Sequence, residues 1–202
     1  MGTDALNIIG VTGRCCAGKN LIAQILENKG AVIIDVDALG HAALAQSTAQ
    51  IAKVFGPTVL HEDSSVNRKA LGKIVFSQPQ QLRELEKIVH PLMVNMVVEL
   101  LEKARLEGQK SVVLNAALLQ RMGLDALCNE ICFVNSPCIV RLIRAIKRDK
   151  ATLRSFVQIE KAQKDIKART LGGAQSVHIV ANWGPKRYIY RQVDEFWASM
   201  SI

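Results

Sequence analysis

The chain of 202 residues carries 26 Lys and Arg against 18 Asp and Glu, a formal net charge of +8, and 49% of it is hydrophobic. That balance excludes a disordered chain and fits one compact domain with an aliphatic core, since aromatic residues make up only 4%. Five Cys, an odd number with no signal-like start, argue against a disulfide framework. No segment approaches the ~20 apolar residues of a membrane span, so a reducing cytoplasm is the expected setting.

In chain order, NIIGV (Asn7 to Val11) reads as a buried strand. The stretch KNLIAQILENKG follows as a helix, with Leu21, Ile22, Ile25 and Leu26 on one face and Gly30 near its end. AVIID (Ala31 to Asp35) is a second buried strand, which completes a βαβ unit. A largely helical region comes next, through QPQQLRELEKIVHPLMVNMVVELLEKARLEG. Strands resume at KSVVLN (Lys110 to Asn115) and EICFVN (Glu130 to Asn135). SPCIVRLIRAIKRD is a helix with Ser136 as its expected cap, and TLRSFVQIEKAQKDIKAR is another. SVHIVAN (Ser176 to Asn182) is the last strand and RYIYRQVDEFWASM the last helix. The alternation predicts an α/β fold, a parallel sheet with helices on both faces.

The first βα junction holds the chemistry. GVTGRCCAGKN matches G-x-x-x-x-G-K-[ST] at Gly13, Gly18 and Lys19, then places Asn20 where a hydroxyl is usual. Backbone N–H groups at a helix N-terminus bind anions, and Lys19 would reach phosphates. The plain alternative is a strand–turn–helix connection with an incidental lysine. Asp35 and Asp37 follow the second strand at the sheet edge where ligands bind, and two residues apart on a strand they would point the same way. One of them orients a hydroxyl or a Mg²⁺ ion; alternatively, Asp37 caps the next helix. Arg141, Arg144 and Arg148 share a helical face that suits a transferring phosphoryl group, or simply solvent.

Taken together, these segments resemble the dephospho-coenzyme A kinases, from about Ile8 to Trp197. IIGVTGRCCAGK is similar to the family's strand and phosphate loop, including Thr12, and VIIDVDALGHAAL to its I-D-A-D segment. Arg68, Leu71, Val75-Phe76 and His90-Pro91 follow the family spacing, as do VVLNAALL, the lid segment with Gln163, and VANWG.

The resemblance implies an α/β, parallel-sheet P-loop kinase core flanked by helices, with a helical substrate-binding region and a helical lid. The core would take about 1–36, 109–140 and 176–202, the substrate region about 37–108 and the lid about 141–170. It implies ATP-dependent phosphorylation of the ribose 3′-hydroxyl of dephospho-coenzyme A, with ATP and Mg²⁺ as cofactors. Asp37 would be the base, with Lys19 and Arg144 at the transferred group. ATP would contact Gly13, Arg14, Cys15, Cys16, Ala17, Gly18, Lys19, Asn20, Arg148 and Asn182. The substrate would contact Thr12, Asp35, Asp37, Arg68 and His90. Asn20 is the candidate metal ligand, directly or through water. The +8 charge then serves a small phosphorylated ligand rather than nucleic acid or a membrane, and the chain is expected to be a monomer or a weak homo-oligomer.

The loop departs from the family's G-G-I-G-S-G-K-[ST] at Arg14, Cys15, Cys16, Ala17 and Asn20. Ala117 stands for a family Pro and Arg121 for a family Glu. Two other readings therefore accompany the kinase. One is a catalytically weak member that binds nucleotide or coenzyme A. The other is a related kinase with another small nucleotide or nucleoside as acceptor. Cys15 and Cys16, beside Lys19 at a helix start, are either reactive thiols or loop filling.

Overall fold

The computed structural model describes residues 6–174 and 176–200. Its elements are β1 (Asn7–Thr12), α1 (Lys19–Glu27), β2 (Val32–Asp35), α2 (Val36–Gln46), α3 (Thr48–Phe55), α4 (Arg68–Val75), α5 (Pro79–Leu106), β3 (Ser111–Asn115), β4 (Glu130–Asn135), α6 (Cys138–Asp149), α7 (Leu153–Ala162), β5 (Ser176–Ala181) and α8 (Lys186–Ser199). The strands form one sheet in the order β2-β3-β1-β4-β5, and every pairing is parallel.

The sequence of β1 explains its central place. From Ile8 through Thr12 every residue is buried, as a strand covered on both faces requires. Ile9 and Val11 face α1 and α8, where they meet Ile22, Leu26, Val193 and Phe196. Each such aliphatic side chain contributes about 2 kcal/mol on burial. Parallel pairing puts all strand C-termini at one edge, so Thr12, Asp35, Asn115 and Asn135 end together.

The chain divides into two units. The first comprises the segment up to Asp35 and everything from Glu99 onward, and so holds the whole sheet; the second is Val36–Val98. In the second unit, the Asn67 side chain accepts from the Ala70 N–H at 3.0 Å and caps α4, an N-terminus that the short polar residue before Arg68 dictates. Met93 of α5 lies against Gly40 of α2.

Two local expectations need correction. β2 ends at Asp35, and Asp37 sits in the first turn of α2. The two carboxylates are therefore not two steps along one strand, because the helix begins as soon as the sheet edge is reached; nor is Asp37 a cap. Ser136 is not the cap of α6 either. Pro137 holds that position, and the Ser136 hydroxyl donates to the Asn182 carbonyl at 3.1 Å. Proline sets the φ that opens the helix, which frees the serine for a longer-range bond.

Candidate active site

The loop between β1 and α1 wraps the N-terminus of α1. Gly18 caps the helix at φ 100°, and Gly13 leaves β1 at φ 153°. A side chain at either would collide, with the Val134 carbonyl at position 13 and with the Asn182 amide at position 18. Cys16 takes φ 60° without being glycine, a conformation that costs a side-chain-bearing residue on the order of 1 kcal/mol. Lys19 opens α1 and is only 9% exposed.

A second ring of residues fixes this loop. The buried Asn182, just past β5, donates to the Ala17 carbonyl at 2.8 Å. Arg144 spans the junction, donating to Ala17 O at 3.1 Å, Cys16 O at 3.3 Å and Asn182 O at 2.9 Å. Burial lowers the Arg144 pKa, with Arg148 adding to the effect and Cys16 opposing it. Arg148 approaches the Cys16 sulfur at 4.0 Å. Gly13 through Asn20, Arg144, Arg148 and Asn182 are thus one cluster in the first unit.

Arg141, the first of the arginine row, does something else. It is 3% exposed and chelates Glu160 of α7, Nη2 to Oε2 at 2.7 Å, with Nη1 on Oε1. Arg14 joins the same carboxylate at 3.5 Å and donates to the Ile166 and Lys164 carbonyls at 3.2 and 3.3 Å. The Cys15 N–H donates to the Gln163 side chain at 2.7 Å. Arg121 grips Asp165 at 2.7 and 2.5 Å. Two side chains, Arg14 and Gln163, therefore strap the residues after α7 to the loop, and Arg121 ties the same segment to the turn after β3. Beside this strap an open cavity of about 550 Å³ is lined by Arg14, Ala17, Ser136, Arg141 and Lys167 among others.

The strap has a pH signature. The Arg141 hydrogen bond holds the Glu160 carboxyl below its ordinary value of 4.5, against the opposing effect of burial; Arg121 does the same for Asp165, below 3.8. Depressed carboxylates contribute stability that is complete above those values and is lost as pH falls through the lower, folded ones. Thermal melts of the wild type are expected to hold steady down to about pH 5 and then fall. Glu160→Gln should melt lower by about 3 kcal/mol at neutral pH, because Arg141 is left buried without its counter-charge, and should show a shallower acid decline. Equal slopes for the two proteins would remove the ion pair as the cause.

One site residue escaped sequence reasoning. Asn115 ends β3 beside both β1 and β2, is 3% exposed, and donates from Nδ2 to Asn20 Oδ1 at 3.1 Å. Its own Oδ1 is buried without a hydrogen-bond partner. A lone polar residue after the apolar run Val112–Leu114, at the ligand edge of the sheet, was the available signal. Asp35 is its register partner on β2.

Other predicted residues have plainer places. Thr12 is buried, and its hydroxyl donates to Ala117 O at 3.2 Å. Asp37 is exposed on α2, Arg68 is exposed at the start of α4, and His90 is half-buried within α5; all three belong to the second unit. Burial pushes the Cys128 and Cys132 thiols up to about 12, and no cluster of three metal-binding side chains occurs among the described residues. His178 meets Ser176 at 2.9 Å and packs on Phe196. Trp183 is 51% exposed.

A five-stranded parallel sheet, a glycine-flanked loop on a helix N-terminus with a lysine at the helix start, and arginines from α6 on that loop define the class: a phosphate-loop kinase fold. Within that class the chain belongs to the dephospho-CoA kinase family, whose sequence model matches residues 7–182.

Among relatives, the dephospho-CoA kinase of Dehalococcoides mccartyi is 39% identical over 65% of this chain and 68% of its own length. Those of Symbiobacterium thermophilum and Geobacter sulfurreducens are 34% identical (95% and 80% covered) and 31% identical (96% and 98%). Among solved structures, a Thermus thermophilus protein superposes with a TM-score of 0.77 at 25% identity, covering 97% of this chain and 98% of its own. The fold is also that of a Campylobacter jejuni dephospho-CoA kinase, with a TM-score of 0.68, 23% identity and the same coverages. An Acinetobacter baumannii shikimate kinase shares it at 0.51 and 15%, covering 98% and 97%.

Proposed function

We propose that this chain transfers the γ-phosphoryl group of ATP to the ribose 3′-hydroxyl of dephospho-coenzyme A. The observation that carries the reading is the loop itself. Its glycines sit at positive φ, its carbonyls are turned away into Arg144 and Asn182, and Lys19 stands at the helix start. With the carbonyls tied back, N–H groups and the positive helix end face the anion. Lys19 neutralises charge on the phosphates, and Arg144 and Arg148 approach from the lid side. Asp37 takes the hydroxyl proton as the acceptor oxygen attacks, and Arg68 and His90 hold the acceptor nucleotide.

Mg²⁺, when bound, offsets phosphate charge during transfer. The donor set suits a hard cation: Asn20 and Asn115 offer amide oxygens, the latter buried and unsatisfied, and Asp35 is the register partner of Asn115. Asn20 is a longer side chain than the hydroxyl residue usual at this position, so its oxygen sits less well for a small octahedral ion. Asn20→Ser is therefore expected to lower the Mg²⁺ concentration for half-maximal activity by about fivefold, and to strengthen Mn²⁺ binding to the ADP complex in parallel. Unchanged Mn²⁺ binding would remove Asn20 as a ligand.

The direct test is ADP formation with ATP and Mg²⁺ across acceptors: dephospho-coenzyme A, adenosine and shikimate. Turnover with the first alone supports the reading. Turnover with another acceptor makes the chain a related kinase. Nucleotide binding without turnover makes it a catalytically weak member.

A further inference from the structure

Cys15 and Cys16 lie in the middle of the phosphate loop with their sulfurs 3.6 Å apart. Cys15 is partly exposed, while Cys16 is 7% exposed and packs against Ala145 and Phe156. The pair is cationic ground: Arg148 reaches the Cys16 sulfur, and Arg144 and Arg141 bond the Cys16 and Cys15 carbonyls. Thiols beside such charges and near a helix N-terminus are favoured as nucleophiles. Neither thiol has a part in phosphoryl transfer.

We propose that Cys15 and Cys16 form a vicinal dithiol modification site, which a hydroperoxide converts to a disulfide that closes the nucleotide site. The Cys15 sulfur attacks the peroxide; the O–O bond breaks, one oxygen stays on sulfur as a sulfenic acid, and the other leaves as water. The Cys16 sulfur then displaces that hydroxyl, forming the S–S bond and a second water. Two thiols and one H₂O₂ give one disulfide and two waters, with two electrons passing from sulfur to oxygen.

Geometry ties this step to ligand binding. Disulfides join Cα atoms about 4.4–6.8 Å apart, whereas neighbours across a trans peptide are about 3.8 Å apart. Closing the ring must therefore twist the backbone between Cys15 and Cys16. That backbone carries the Cys15 carbonyl held by Arg141, the Cys16 carbonyl held by Arg144, and the φ of 60° at Cys16. It also adjoins the Cys15 N–H held by Gln163. The loop cannot keep its phosphate-facing form and the disulfide together. Nucleotide held on the loop restrains the same backbone, and so slows the ring closure, just as the closed ring weakens nucleotide binding.

The inference rests on the loop being a nucleotide site, and the test separates the two. The whole protein is treated with H₂O₂, with and without ADP. Peptide mass is then read across residues 14–19, and a fluorescent ADP analogue measures affinity. The expected result is loss of two hydrogens on that peptide, slowed by ADP. Affinity should fall at least about tenfold and be restored by dithiothreitol. Cys15→Ser and Cys16→Gly, the latter suited to positive φ, should each keep its own untreated affinity after peroxide. Cys138→Ser should remain sensitive.

No disulfide on the peptide, a disulfide with undiminished affinity, or loss persisting in the double variant Cys15→Ser/Cys16→Gly would each overturn the proposal. If untreated protein binds no ADP analogue, the nucleotide-site reading fails instead, while the peptide mass still reports whether the pair closes.

Discussion

Lys19→Ala is expected to lower kcat by about 100- to 1000-fold while the protein stays folded, because it removes a preorganised cation aimed at developing phosphate charge. Lys19 is 9% exposed at the first position of α1, and its neighbours Ile22 and Ala23 carry the packing of that helix against the sheet. The truncation therefore takes charge from the site without taking a core side chain from the fold. Steady-state kinetics beside a thermal melt separate the two effects. A kcat within threefold of wild type would mean that Lys19 does not face the phosphates. A melt lowered by many degrees would mean that its aliphatic stem supports the core.

Gly18→Ala is expected to cost about 2–4 kcal/mol of stability and most nucleotide affinity, from two sources that act together. The φ of 100° is one that side-chain-bearing residues rarely adopt. The new methyl would also drive into the Asn182 amide, which is 2% exposed and cannot move freely. Asn182 links Ala17 O, the Ser136 hydroxyl, Arg144 and the Asn135 carbonyl. Displacing its side chain breaks the bond to the Ala17 carbonyl and the one from Arg144. Denaturant melts and ADP titration check both losses. A variant with wild-type affinity would show that Asn182 is not the hub of this junction. Gly30→Ala serves as the control, since φ there is also 100° but no atom lies near its added carbon. The difference between the two variants isolates the collision from the backbone strain.

The parts of this site that were legible in the sequence are local ones. The apolar runs of β1, β3 and β4, the glycine spacing and Gly18-Lys19 all declare themselves within a few residues, because burial and turn geometry act on neighbours. What stayed hidden depends on residues brought together from far along the chain. Arg141 looked like a third member of a phosphate-facing row. Its spacing carried no sign of Glu160, whose carboxylate claims it. Arg121 read only as a departure from the family pattern, yet Asp165 lies opposite it and pairs with it. Asn115 meets Asn20 only because β3 lies next to β1, a neighbour relation that no periodicity encodes. Asp37 was misread at shorter range. An apolar run ending in D-V-D does not say whether the strand or the helix owns its last residues, and here the helix does.

These features make the altered loop a supported one. Arg14 and Cys15 are bonded to the segment after α7, and Arg121 anchors the same segment. Such mutual accommodation accounts for a loop that keeps its glycines at Gly13 and Gly18 while its middle has changed. The three substitution sites, Arg14, Cys15 and Arg121, should therefore couple. Reverting one alone is expected to cost more than reverting all three together, and a double-mutant cycle on melting free energy would read the excess.

The most direct measurement is the identity of the product. The protein, ATP, Mg²⁺ and dephospho-coenzyme A would be incubated together, and the acceptor separated and examined by mass and by phosphorus NMR. The expected product carries one added phosphate on the ribose 3′-oxygen, is identical to coenzyme A, forms together with ADP, and is absent with Lys19→Ala. Recovery of unchanged dephospho-coenzyme A, or a phosphate on any other oxygen, would contradict it.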